Sequence, residues 1–129
     1  MKYYYTAVLT PQDDGSVFAS VPDLDGCVTS GKDLNDALDM ITDAASVWLV
    51  SNEDHNLPVV KPSVQSDLPC SEDSYFSIIR VDTIQYRADT DNHSVRKNVS
   101  LPAWMAHMAD KRGINCSKVL QDGLMQQFS

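Results

Sequence analysis

The sequence predicts an α+β chain in two parts. The first is an N-terminal antiparallel sheet with one packed helix; the second is a strand-helix-helix segment that has to pair with a second copy. Three observations predict this. Short Tyr/Val/Thr-rich runs split by turn residues fill the first thirty positions. One long stretch at helical spacing follows, and the last third switches from period two to period 3.6 at a proline. The boundaries predicted are 1–82, a polar linker over 83–93, and 94–129.

Lys2 to Thr10 (KYYYTAVLT) reads as the first strand, because β-branched and aromatic residues suit a pleated, half-buried surface. Gln12-Asp13-Asp14-Gly15 is turn chemistry, and Val17 to Val21 returns as the second strand of a hairpin. Pro22-Asp23-Leu24-Asp25-Gly26-Cys27 forms a tight loop, and Val28-Thr29-Ser30 a short third strand. Asp33 caps the main helix. There Leu34, Ala37, Leu38, Ile41, Ala44, Ala45, Trp48 and Leu49 repeat on one face, with Asp36, Asp39 and Asp43 on the wet side. Residues 51–73 are polar, hold Pro58, Pro62 and Pro69, and read as an irregular connection wrapping the domain. Tyr75 to Val81 (YFSIIRV) completes the sheet. From Thr83 to His93 the chain turns polar, and Asp89-Thr90-Asp91-Asn92-His93 is its clearest linker.

In the last third, Val95, Lys97, Val99 and Leu101 point one way along a strand, and Arg96, Asn98 and Ser100 the other. Pro102 suits the first position of a helix, where its missing N–H costs nothing. Leu101, Trp104, Met105, Met108 and Ala109 then make one apolar face; Lys111 and Arg112 suit the last turn, and Gly113 is the stop. Asn115 caps a second helix whose inner face carries Cys116, Val119, Leu120, Gly123 and Leu124. A lone strand and two short helices bury too little to stand alone. A two-fold dimer solves this if the strands pair antiparallel and four helices share one core. Val95, Val99, Leu101, Trp104, Met105, Met108, Val119, Leu120 and Leu124 make that core. The paired strands present Arg96, Asn98 and Ser100 twice on a ribbon that fits the major groove. There Arg can bond guanine and Asn adenine, each in bidentate fashion.

The formal charge of −8 conceals a split. Residues 1–93 hold five Lys/Arg against sixteen Asp/Glu, a balance of −11; residues 94–129 hold five against two, or +3. The basic end suits DNA phosphate, while the acidic end would be repelled by it and should face away, so the two halves are expected to have different partners. A hydrophobic fraction of 43% is enough for a folded core. No apolar run is long enough to cross a bilayer, and Met1-Lys2 leads into a strand rather than a signal peptide. Cys27, Cys70 and Cys116 are odd in number and widely spaced, which points to a reducing cytoplasm rather than a disulfide framework or zinc site. Cys27 and Cys116 are expected to be buried thiols. No cofactor is expected.

The pattern R-x-N-V-S-L-P, then W-M, then G-I-N-x-S-x-V-L-Q resembles a ribbon-helix-helix DNA-binding domain. The resemblance assigns base reading to Arg96, Asn98 and Ser100, and the holding of a DNA phosphate to Asn115, Cys116 and Ser117 at the second helix's start. Lys97 departs from the apolar residue usual there; its stem is expected along the apolar surface with the ammonium at the rim. A second resemblance covers residues 2–50 well and 51–82 weakly. Val21-Pro22-Asp23-Leu24, Gly26-Cys27-Val28-Thr29, Gly31 and Leu34-Asn35-Asp36-Ala37-Leu38 resemble the N-terminal domain of HicB antitoxins. This implies a partial RNase H-like fold, a C-terminal DNA-binding module and a partner, HicA, an mRNA-cutting toxin with a double-stranded-RNA-binding fold. It implies that the first domain covers the toxin while the second represses the operon, the protein being a homodimer or a homotetramer. Loop residues Asp23, Leu24 and Asp25 are either toxin contacts or turn formers.

No catalytic constellation is expected. His55, His93 and His107 lack paired ligand spacing, the glycines are scattered, and convergence of Asp23 and Asp25 with other acids as in a two-metal nuclease is unsupported. Alternatives to the antitoxin reading are a ribbon-helix-helix repressor with an N-terminal sensor not directed at a toxin, an RNase H-type nuclease, and a C-terminal dimerisation module without a DNA role.

Overall fold

A computed structural model describes residues 1–69, 71–91 and 93–128. Cys70 and Asn92, read from sequence into the 51–73 connection and the linker, lie outside the described residues, as does Ser129. The chain divides into two compact units, Lys2–Thr90 and one that begins at Asp91.

In the first unit, alternation and turn residues give β1 (Lys2–Pro11), β2 (Val17–Ser20) and β3 (Val28–Gly31), close to the expected bounds. Helix α1 (Leu34–Asp54) follows, then a single 3₁₀ turn (Gln65–Asp67), β4 (Tyr75–Asp82) and α2 (Thr83–Thr90). The sheet runs β3-β2-β1-β4, antiparallel throughout, with Val8 opposite Ser20 and Phe76, and Tyr5 opposite Ile79. One side of β1 (Tyr3, Tyr5, Ala7 and Leu9) packs with Ala37, Ile41, Ala45 and Leu49 of α1, and Val17, Ala19, Val21, Ile79 and Val81 complete the core. The predicted stripe on α1 holds, with two amendments. Leu34, on the first turn, is exposed, and the small Ser46 is buried because its hydroxyl bonds back to the Thr42 carbonyl at 2.7 Å. The Asp33 carboxylate accepts from the Asp36 amide at 2.9 Å, as a capping residue does.

Gly31 is required by proximity. A Cβ there would lie 2.3 Å from the Ala37 backbone nitrogen, so the close seating of α1 on β3 depends on a bare Cα. The connection after α1 wraps the unit through specific bonds. The Tyr5 hydroxyl donates to the Val60 carbonyl at 2.6 Å, the Ser63 main-chain amide donates to the Asp23 carboxylate at 2.8 Å, and the Gln65 side-chain Nε2 donates to the Thr6 hydroxyl at 3.4 Å.

The polar run Thr83–Thr90, expected as linker, is helical instead. Its order comes from tertiary contacts. Asp82 accepts from the Gln85 amide at 3.1 Å, and the fully buried Thr83 donates to the Glu53 carboxylate at 2.9 Å. Arg87 Nη2 reaches Glu53 at 3.2 Å and Asp54 at 2.8 Å. The same contacts hold α1 helical through the polar residues 51–54.

The second unit contains α3 (Ala103–Lys111) and α4 (Cys116–Phe128). Residues 93–102 carry no regular secondary structure, so the strand expected over 94–101 does not form within one chain. A β-strand is defined by the neighbour that takes its N–H and C=O groups, and the described residues supply none here.

Candidate functional site

Local sequence sets the geometry of the second unit. Pro102 is the N-cap of α3 rather than its first residue, and its carbonyl accepts from the Met105 and Ala106 amides at 3.0 and 3.1 Å. At the other end the Gly113 amide bonds the Asp110 carbonyl at 3.2 Å and the Ile114 amide bonds the Ala109 carbonyl at 3.0 Å. This is a Schellman stop, for which Gly113 adopts φ +65°. The Asn115 side chain then caps α4 as expected, accepting from the Lys118 amide at 3.1 Å. Cys116 and Ser117 occupy the first turn of α4. Cys116 is exposed, not buried as its sequence context predicted, because this unit has no interior within one chain.

No described residue from Asp91 onward is buried; only Ala106 and Ala109 are partly shielded. Val95 is 80% exposed and Trp104 62%, and Val99, Leu101, Met105, Met108, Val119, Leu120 and Leu124 are exposed as well. These are the nine residues read as a shared core. Most of them line an apolar groove of about 500 Å³, together with Lys97, Ala109, Arg112, Ile114, Cys116 and Ser117. Lys97, Val99 and Leu101 all line it, while Val95, Arg96, Asn98 and Ser100 do not. The groove also takes in Lys97, the residue that departs from the apolar pattern. Sequence reasoning missed Ile114 and Arg112 as lining residues. The signal available for Ile114 was its place just after a glycine stop, where an apolar residue commonly folds back on the helix.

In the first unit the three loop residues separate. Leu24 is 1% exposed and plugs the core, which corrects its reading as a partner-facing side chain. The loop closes through main-chain bonds (Val21 amide to Cys27 carbonyl, Leu24 amide to Val21 carbonyl, Cys27 amide to Leu24 carbonyl, each 3.0 Å) that turn Leu24 inward. Asp23 binds Ser63 and so fastens the connection. Asp25 is exposed, and its carbonyl accepts from the Trp48 indole at 3.0 Å. Cys27 is buried, and burial pushes its thiol pKa up. His55 is held by the α1 C-terminus, Nδ1 lying 2.7 Å from the Ser51 carbonyl, and His107 is exposed. Among the described residues no group of three or more His, Cys, Asp or Glu side chains could hold a metal ion, and no helix is long and apolar enough to cross a membrane.

Comparison with known proteins covers nearly the whole chain. A family profile described as "HicB_like antitoxin of bacterial toxin-antitoxin system" matches residues 5–128. UPF0150 protein Ta0767 of Thermoplasma acidophilum is 33% identical over 61 residues, covering 47% of this chain and 88% of that protein. Among solved structures, the chain is similar to one from a toxin-antitoxin complex of Streptococcus pneumoniae, with TM-score 0.62 and 20% identity over 98% of this chain and 99% of that one. It is also similar to the antitoxin HicB of Burkholderia pseudomallei, with TM-score 0.56 and 18% identity over 98% and 99%. These structural likenesses show a shared fold, an antiparallel sheet with helices. The family match, which runs through both units, shows that the chain belongs to the HicB-like antitoxins of bacterial toxin-antitoxin systems.

Proposed function

We propose that this antitoxin neutralises a HicA-type mRNA-cutting toxin through its acidic first unit and represses its operon through the second. In this reading residues 94–129 pair across a two-fold axis. The 94–101 segments of two chains become an antiparallel ribbon, and Arg96, Asn98 and Ser100 of both enter the major groove. The α4 N-terminus, with Asn115, Cys116 and Ser117, holds a flanking phosphate.

The exposed apolar face of the second unit carries this reading. Fully buried side chains of the Val, Leu and Met class each contribute about 1.5–3 kcal/mol. Nine such positions per chain, closed against nine more, exceed the roughly 4–15 kcal/mol lost on association. Dimerisation thus supplies both the missing interior and the missing strand neighbour. The toxin half rests on the family and on charge: a unit with fifteen acidic and five basic residues over positions 2–90 suits a basic, RNA-binding partner. In the loop, Asp25 is the side chain left free to meet it, and the proposed contact moves there from Leu24.

The deciding experiment is co-expression with the adjacent gene product, followed by purification and operator-binding measurements. A complex with a small basic protein that shifts operator DNA is the expected result. A purified chain that stays monomeric at tens of micromolar and ignores upstream DNA would refute the second half of the proposal.

A further inference from the structure

Helix α2 depends for its existence on what it is docked against. It has eight residues, and helices shorter than about 12–15 residues are marginal in water by themselves. The docking is shallow: Thr83 is buried, Ile84 and Tyr86 are half-buried, and the last three residues are exposed. The bonds to α1 are polar. Thr83 reaches Glu53 from the first turn of α2, and from further along Arg87 reaches Glu53, Asp54 and the Val50 carbonyl, the last at 3.4 Å. In the Arg87–Asp54 pair the two side chains are 40% and 56% exposed. Ion pairs so open to water contribute little and are screened by salt.

The sheet beside α2 does not share this weakness. β4 is paired with β1 from Tyr75 to Asp82, and its Ile79 and Val81 lie in the apolar core. When α2 lets go, Glu53 keeps the Tyr3 hydroxyl, and the core between α1 and the strands is untouched. Opening therefore stops at the boundary between Asp82 and Thr83, and the eight residues come away as one unit.

We infer that α2 is a latch on the connection between the two units: docked, it stores eight residues as helix, and released, it hands them over as slack. Helical, these residues rise about 12 Å; extended, they span about 26 Å. Arg87 is the positioning residue that holds α2 on α1. The gain in reach rests on the pairing proposed for residues 94–101. With that ribbon formed, positions 91–93 are the slack that remains, and release of α2 extends it to positions 83–93. A first unit carrying a bulky partner then clears DNA held by the second, because the span of a connection decides whether both ends can be engaged at once.

Hydrogen exchange on the full chain, with no partner present, reads the latch. Amides at 87–90, which the helix itself bonds, should exchange about tenfold or more faster than those of β1. Arg87→Gln should raise exchange at 87–90 by about tenfold again and leave β1 and residues 37–49 of α1 as they were. Arg87→Lys should restore most of the protection. Asp54→Asn, at an exposed position, should act in the same direction and takes the place of Arg87→Gln if that variant misfolds. In small-angle X-ray scattering the released variant should show a larger radius of gyration than the wild type at the same oligomeric state. Exchange at 87–90 no faster than in β1, or unmoved by the folded variants, would overturn the latch. Release with no gain in radius would overturn the stored slack. Neither measurement uses toxin or DNA, so a failure of the function proposed above shows in operator binding and toxin capture instead.

Discussion

Glu53 shows how single side chains tie this fold together. Its carboxylate accepts from the Tyr3 hydroxyl at 2.7 Å, the Thr83 hydroxyl at 2.9 Å and Arg87 at 3.2 Å, joining β1, α1 and α2. Burial raises its pKa, but the three donors together outweigh burial and hold it below the ordinary carboxylate value. Stability from this group is therefore present above the usual carboxylate range and lost as the pH falls through and below it. Tyr3 is the reverse case: burial first, then the bond to Glu53, push its pKa up to about 12. Its contribution is intact below pH 10 and fades as the pH rises toward that value. Urea midpoints should decline at both extremes. Glu53→Gln should flatten the acid limb, at a neutral-pH cost of about 1–3 kcal/mol. At Gly31 the effect is steric. Gly31→Ala should cost about 3 kcal/mol or unfold the first unit, because the contact is with main chain that cannot turn aside. An unchanged urea midpoint would show that α1 shifts freely on β3.

At the scale of elements, sequence reading recovered what local rules determine. Alternating runs gave β1 to β4 within a residue or two, and 3.6-periodicity with Asp33 gave α1. Gly113 and Asn115 marked the turn between α3 and α4. It missed α2 and the last turn of α1 because Thr83–Thr90 and residues 51–54 are polar; they are helical through Glu53 and Arg87, which meet from 34 positions apart. Leu24 was misplaced for a related reason: its neighbours Asp23 and Asp25 suggest an exposed loop, and only the closed main chain turns it inward. The strand expected over 94–101 is a different case: it does not form in a single chain, where no neighbour among the described residues takes its main-chain groups. Arg96→Ala or Asn98→Ala should weaken operator binding by about 1–3 kcal/mol without unfolding the protein. Ser117→Ala should weaken operator and random DNA alike. Equal losses on both DNAs for Arg96→Ala would argue against base reading.

At the scale of the whole molecule, charge is divided as the two units are. On the proposed reading, an acidic first unit is repelled by an operator, so binding should rest on the second unit's five basic residues and should fall steeply with salt. A chain ending at residue 90 should lose operator binding and keep toxin binding, weakened where avidity is lost. Complete loss of toxin inhibition would assign the neutralising role to residues beyond 90.

Each unit also holds one of the chain's two tryptophans. The Trp48 indole is fixed to the Asp25 carbonyl, whereas Trp104 stands in water on the groove wall. Fluorescence therefore gives every half of the protein its own lamp. With Trp48 replaced by Phe, a shift of emission to shorter wavelength on raising the concentration would time the closing of one groove upon another. With Trp104 replaced instead, the remaining glow would follow the sheet and report the arrival of a toxin beside the Asp25 loop.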